Sequence, residues 1–388
     1  MNVTSEVSHY RTRILHSLAD VGQNLWDQLI QLQPSANPFL SYAFLHALHE
    51  SGSASKQTGW SPCYISLWDG ESLAAAMPLY EKSHSYGEYV FDWAWAEAYH
   101  QHGLQYYPKL LSAIPFTPVT GTRLIARDQN SRQALLNELI RLQTAMQVSS
   151  THILFPSKEE TILLNNAGFL LRQGIQFHWQ NQAYSDFEEF LSSLEKKKRK
   201  NIRAERRKVT ELGIEFQHLC GSDIHTEDWH FFKSCYDKTY SEHHSSPYLN
   251  LDFFLRIGAT MPENIHLIIA QRGEKRIAAS LLIHDTNTVY GRYWGCIEHV
   301  PCLHFETAYY QSIEFCIRNK IKIFEGGAQG EHKMARGFLP TKTYSAHYLA
   351  EAAFSDAVAN FLQRETGGIE NYFSELDERT PYKHLATT

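Results

Sequence analysis

The feature that most constrains this chain is a series of landmarks that occurs twice. Trp68-Asp69-Gly70-Glu71 leads into Leu73-Ala74-Ala75-Ala76, and Gln271-Arg272-Gly273-Glu274 leads into Ile277-Ala278-Ala279-Ser280. Tyr86-Gly87-Glu88-Tyr89 is answered by Tyr290-Gly291-Arg292-Tyr293, and Tyr106-Tyr107 by Tyr309-Tyr310. The same order at near-equal spacing implies two copies of one unit. Length agrees, because 388 residues exceed one ordinary core. The expected domains are 1–175 and 176–388.

Each unit reads as mixed α/β. In the first, helices at 25–32 and 42–50 precede strands 63–68 and 73–80 around the Asp69-Gly70 turn. An extended segment at 88–95, a helix at 131–147 and a strand at 151–155 follow, then a helix at 159–167 and an extended run at 169–179. In the second, a long helix at 186–212 leads to a strand at 214–218, helices at 229–241 and 251–260, and strands at 265–270, 276–284 and 288–295. A helix at 304–318, strands at 321–325 and 344–349 and a helix at 355–376 close the chain. Apolar spacing and flanking Gly, Pro, Ser and Asn residues mark these ends.

Net charge is −6, so polyanion contact would have to come from a local patch. The six cysteines, Cys63, Cys220, Cys235, Cys296, Cys302 and Cys316, include no CxxC pair. Reduced thiols, a reducing cytoplasm and no disulfide framework are the expectation. Neither a signal-peptide core nor an apolar run of spanning length is present, so no membrane span is expected. There is no HExxH, and no metal site is expected.

Residue types single out four candidate parts. Ile321–Pro340 runs from a β-branched strand into a loop with Gly326, Gly327 and Gly330 that carries Glu325, Gln329, Glu331, His332, Lys333 and Arg336. A rigid strand feeding a glycine loop full of ionisable groups is a common seat of chemistry, although a solvated loop would look the same. The middle of helix 186–212 is strongly basic, with Lys197, Lys198, Arg199, Lys200 and Arg203. Such repulsion points to phosphate contact or to a merely solvated face. On strand 290–294, Arg292 and Trp294 share a side, and His304 and Glu306 open the next helix, so Arg292 could hold an anion or pair with Glu306 or Glu325. In the first unit His84, Tyr86, Glu88, Asp92, Trp93 and Trp95 form a polar and aromatic strip. As a strand it would put Glu88 and Asp92 on one face, where paired acids could hold a cationic amine.

The stretches HSYGEYVFDWAW (84–95), YYPKL with PFTPVTG (106–121), KKKRKNIRAER (196–206), GRYWGC (291–296), LHFE (303–306) and FEGGAQGEHKMARGFLP (324–340) together resemble the FemAB-like predicted N-acyltransferases over residues 37 to 385. The resemblance implies two tandem GNAT-like (acyl-CoA N-acyltransferase fold) units, each a mostly antiparallel sheet flanked by helices. It implies transfer of an acyl or aminoacyl group to an amine, linked to peptidoglycan precursors, with aminoacyl-tRNA as possible donor. Glu331, His332 and Lys333 are then the catalytic candidates, with Glu331 or His332 as base. His84, Tyr86, Glu88, Asp92, Trp95, Arg292, Trp294, His304, Glu306, Glu325, Gln329 and Arg336 are candidates for binding substrate. A non-catalytic module binding tRNA or muropeptide, and an acetyl-CoA-dependent acetyltransferase, are the alternatives. Residues 299–303 lack the glycine-rich turn that binds pyrophosphate in GNAT enzymes, which counts against the latter.

Overall fold

The structure is a computed structural model that describes residues 10–328 and 330–383. Unit 1 takes in the chain up to Gly174 together with Thr343–Gly368; unit 2 takes in Ile175–Lys342 and the chain from Ile369 on. The expected second domain, 176–388, is therefore interrupted.

Unit 1 begins with β1 (Arg11–Leu15), α1 (Gln23–Gln31) and α2 (Tyr42–Glu50). Strands β2 (Trp60–Pro62), β3 (Tyr64–Asp69), β4 (Ser72–Met77) and β5 (Tyr80–Lys82) follow, then α3 (Trp93–Gln101), β6 (Lys109–Ser112) and β7 (Ile125–Ala126). Its middle ends with α4 (Gln129–Met146), β8 (Ser150–Leu154) and α5 (Lys158–Asn166). Capping boxes start both helices, Asp128 with Ser131 and Ser157 with Glu160. One sheet runs β1-β3-β4-β7. Leu135, Leu136 and Leu139 of α4 pack with Ile65, Leu67, Ala75 and Met77 in the core. The chain leaves unit 1 within β9 (Leu170–Gln180) and returns within β15 (Leu339–Leu349). Ser345–Leu349 of β15 pairs antiparallel with β8, and that ladder is why this segment belongs to unit 1. The second sheet of unit 1 runs β2-β5-β6-β8-β15.

Unit 2 has α6 (Phe187–Ser193), α7 (Lys196–Glu211), β10 (Ile214–Cys220), α8 (Thr226–Glu242) and α9 (Leu251–Thr260). Then come β11 (Ile265–Arg272), β12 (Lys275–His284), β13 (Thr288–Cys296), α10 (Leu303–Phe305), a π-turn at Glu306–Tyr310, α11 (Gln311–Arg318) and β14 (Ile323–Glu325). A last helix, α12 (Ala352–Glu378), starts in unit 1 and ends in unit 2. Strands β10 to β13 form an antiparallel meander; β14 follows the helices parallel to β13, and β9 lies antiparallel to β14. A meander, a helix and a parallel strand make up the GNAT-like order. Trp179, Phe190, Leu194, Ile202, Tyr310, Ile313, Phe324 and Phe338 fill the core of unit 2.

The repeat is present in the hairpins. Gly70 and Gly273 both turn left-handed, at φ 59° and 58°. In each hairpin the register slips at the same distance from the turn, between Leu67 and Trp68 and between Ala270 and Gln271. The next landmark does not correspond: 86–89 is loop, whereas 290–293 lies in β13.

Two further expectations change. The segment 88–95 is not a strand: it is irregular as far as Asp92, whose side chain makes no capping bond, and the chain turns helical at Trp93. The helix expected at 186–212 is two helices. Leu194 is extended and fully buried, so the chain breaks there to seat an apolar side chain.

Candidate active site

The parallel pairing of β13 with β14 ends at Tyr290 opposite Glu325. Beyond that pair β13 runs on to Cys296, while the chain after Glu325 leaves through Gly326 and Gly327. The strands part there. Arg292 is the extra residue of a bulge, since Leu281 pairs with Tyr293 and Leu282 with Gly291. A bulge re-aims the side chain it carries. Gly327 is left-handed at φ 88°, and its carbonyl accepts from Lys333 Nζ at 3.0 Å. Lys333 is buried on a short turn, Glu331–Arg336, and burial pulls its ammonium down to about 8.

Polar groups gather at this parting. Glu325 is pushed up to about 8 by burial, against the pull of Arg292. His178, opposite Glu325 on β9, has Nε2 4.0 Å from the Glu325 carboxyl and 3.3 Å from Gln176 Oε1. Burial, with the Lys333 charge adding, pushes His178 down to about 4. Neighbouring groups held in opposite protonation states are a mark of acid–base sites.

A second set lines the helix that follows β13. Cys302 is left-handed at φ 67°, and the π-turn at Glu306–Tyr310 widens the helix, a frequent feature of functional sites. His304 lies 4.6 Å ring to ring from Trp294, and burial, then His332 and Arg336, push it down to about 4. Arg336 lies 3.4 Å over the Phe305 ring and donates to Glu205 at 2.9 Å and to the His332 carbonyl at 2.7 Å. Glu306 accepts from Arg206 at 3.0 Å and from Gln311 Nε2 at 2.8 Å. It is therefore a partner of Arg206 and not of Arg292.

Of the three catalytic candidates, only Lys333 is buried. Glu331 has a side chain 47% exposed, accepts from the Tyr372 hydroxyl and lies 3.7 Å from Arg379. His332 is exposed, with Nε2 3.2 Å from the Tyr309 hydroxyl. Gln329 lies outside the described residues.

The unit 1 strip is organised around a cation of its own. Lys109 is fully buried between Glu88, at 2.8 Å, and Asp92, and it also donates to Ser85. The paired acids thus hold a lysine of the chain where an external amine was expected. Burial raises the Glu88 carboxyl to about 7 in spite of Lys109. For Asp92, burial pushes the carboxyl up, but Lys109, His152 and the hydrogen bonds from Lys109 and Ser85 together outweigh it and keep the carboxyl well below its usual range. Tyr106 donates to Asp92 and lies 3.1 Å from His152 Nε2, and His152 meets His347 at 2.6 Å. Trp95 is buried against His347. Tyr86, 59% exposed, lies beside Trp93 and His84 on the rim of this strip.

On α7, Lys197, Lys200 and Arg203 are exposed and Lys198 and Arg199 half-buried, while Ile202 and Val209 face the core. Arg203 pairs with Glu188, and Arg199 donates to the Leu194 carbonyl. Sequence reading missed His178, Gln176, Glu205, Lys109, His152 and His347. Lys109 alone left a signal, a lysine heading the apolar run Lys109–Ser112.

A family model described as FemAB-like, peptidoglycan biosynthesis/recognition, matches residues 17–384. The chain belongs to the FemAB-like family. This FemAB-like chain has the fold of FemX, with a TM-score of 0.55 at 11% identity over 90% of this chain and 100% of that one. The structure of L-PGS from Bacillus licheniformis gives 0.53 at 9% identity, covering 87% and 96%. The C-terminal domain of a putative lysylphosphatidylglycerol synthetase from Agrobacterium fabrum gives 0.52 at 11%, covering 89% and 96%. At these identities the likeness speaks for the fold. No curated protein matches. Among the described residues no helix is long and apolar enough to cross a membrane, and no group of His, Cys, Asp or Glu is arranged to hold a metal.

Proposed function

We propose that this chain transfers an aminoacyl group to an amine of a peptidoglycan precursor, with aminoacyl-tRNA as donor, on the cytoplasmic side. The observation that carries the reading is the parting of β13 and β14, with Lys333, His178, Glu325 and Arg292 gathered at it. The family description supports the acceptor class. The exposed lysines of α7 support a phosphate-rich donor.

The acceptor nitrogen attacks the donor's ester carbonyl. An amide bond forms and the ester C–O bond breaks. His178, neutral near pH 7, takes the proton from the nitrogen. Lys333 offsets the charge that develops on the carbonyl oxygen. Glu325, protonated at the same pH, supplies a proton to the departing ribose oxygen. Glu331 has no part in these steps, because Tyr372 and Arg379 engage it at the surface. His304 and Trp294 would form a wall of the donor site.

The test is transfer of a radiolabelled amino acid from charged tRNA to a UDP-linked muropeptide. Thermal stabilisation by charged tRNA, a CoA ester and the muropeptide runs in parallel. Stabilisation by the CoA ester alone, with no transfer from tRNA, would reject the donor assignment.

A further inference from the structure

Three strands across the unit 2 sheet from β13, a second chain of groups is left unused by this reaction. Cys220 is the last residue of β10 and is exposed; the left-handed Gly221, φ 54°, turns the backbone away after it. Its Sγ lies 2.8 Å from His266 Nδ1. His266 Nε2 lies 2.9 Å from His218 Nδ1, and His218 Nε2 lies 2.9 Å from Gln311 Oε1. Gln311 Nε2 donates to Glu306, which Arg206 also holds.

This chain sets every tautomer along it. Gln311 spends its amide donor on Glu306, so its oxygen accepts from His218 Nε2–H. The lone pair of His218 Nδ1 then accepts from His266 Nε2–H, which leaves the lone pair of His266 Nδ1 facing the thiol of Cys220. The His266 ring is buried and stacked on Phe315, with centroids 3.9 Å apart, so it cannot swing away. Burial keeps it neutral, with His218, His284 and Arg318 adding to the effect. A nucleophile, a base and a group that orients the base together form a known arrangement for covalent catalysis.

We propose that Cys220 is a covalent acyl-accepting site, at which the thiol attacks an activated ester or thioester while His266 takes its proton. A bond forms between Sγ and the carbonyl carbon, and the C–O or C–S bond of the donor breaks. The departing alcohol or thiol leaves with the proton held on His266 Nδ1. Thiol–disulfide exchange is the poorer fit, because it wants a resident thiolate. Here burial, with Asp223 adding, raises the thiol and holds it neutral at rest.

The probe is p-nitrophenyl acetate on the full chain near neutral pH, with peptide mass spectrometry. The expected result is a hydroxylamine-labile acetyl group on Cys220, formed at least ~10-fold faster than on N-acetylcysteine. His266→Gln and His218→Asn should each slow it by ~10-fold or more with unchanged circular dichroism. Cys220→Ser should abolish the adduct. A wild-type rate on Cys220 below that margin, or acetylation only elsewhere, overturns the proposal. So does a folded His266→Gln chain that reacts as fast as wild type. If that variant misfolds, the comparison of wild type with N-acetylcysteine still decides.

Discussion

Arg206 holds Glu306 through Nε and a terminal nitrogen, at 3.1 and 3.0 Å, while the residue before it, Glu205, receives Arg336. Adjacent α7 residues of opposite charge thus engage the helix after β13 and the glycine loop. Arg206→Ala should cost about 3 kcal/mol in urea unfolding, the low end for a broken buried pair, because Arg206 is partly exposed. A cost under about 0.5 kcal/mol, in the range of surface pairs, would mean that the pair holds nothing.

At the candidate site, His178→Asn, Glu325→Gln and Lys333→Met should each lower turnover by ~10²-fold or more with little loss of stability. Glu331→Gln should leave turnover within a few-fold of wild type. Steady-state transfer assays distinguish these outcomes; a silent Glu331→Gln chain with an active His178→Asn chain would reverse the assignment.

The pH dependence of stability follows from two shifts of opposite sign. Glu325 is raised from 4.5 to about 8, so its contribution is whole below pH 4.5 and is lost as pH climbs through 8. His178 is lowered from 6.5 to about 4, so its contribution is whole above pH 6.5 and is lost as pH falls through 4. Glu325→Gln should therefore gain on wild type in melting temperature between pH 5 and pH 8. A constant difference across that window would show that the carboxyl is not raised.

Lys109→Met would leave Glu88 and Asp92 buried without their cation, at a cost of about 3–5 kcal/mol. Adding Glu88→Gln and Asp92→Asn should recover part of it. Denaturant midpoints for the single and triple variants check this, and a triple variant no better than the single would locate the cost in packing.

Lys197→Ala with Lys200→Ala should leave the fold intact, since neither residue is buried. The pair should weaken tRNA binding and lower its salt slope by about one for each phosphate that is no longer neutralised. Unchanged affinity and slope would make α7 a solvated face.

What the sequence by itself determined is local. Asp128 and Ser157 start their helices wherever those helices pack, because a cap bonds amides within its own first turn. Gly70 and Gly273 make the same turn and the adjacent strands slip at the same place, so the duplication was legible there. Glu325, Lys333, Arg292 and His304 could be singled out because strand ends, glycines and ionisable groups lie close together in the chain.

Tertiary structure decided the rest. Glu88 and Asp92 are gathered by Lys109, which is remote in sequence, so no strand periodicity could place them. Leu194 interrupts a helical pattern where its backbone is extended and its side chain is fully buried in the unit 2 core with Phe190 and Ile202. His178 faces Glu325 only through the pairing of β9 with β14. A carboxyl near 8 beside an imidazole near 4 is a property of burial and of neighbours from distant segments, and one-dimensional spacing carries neither.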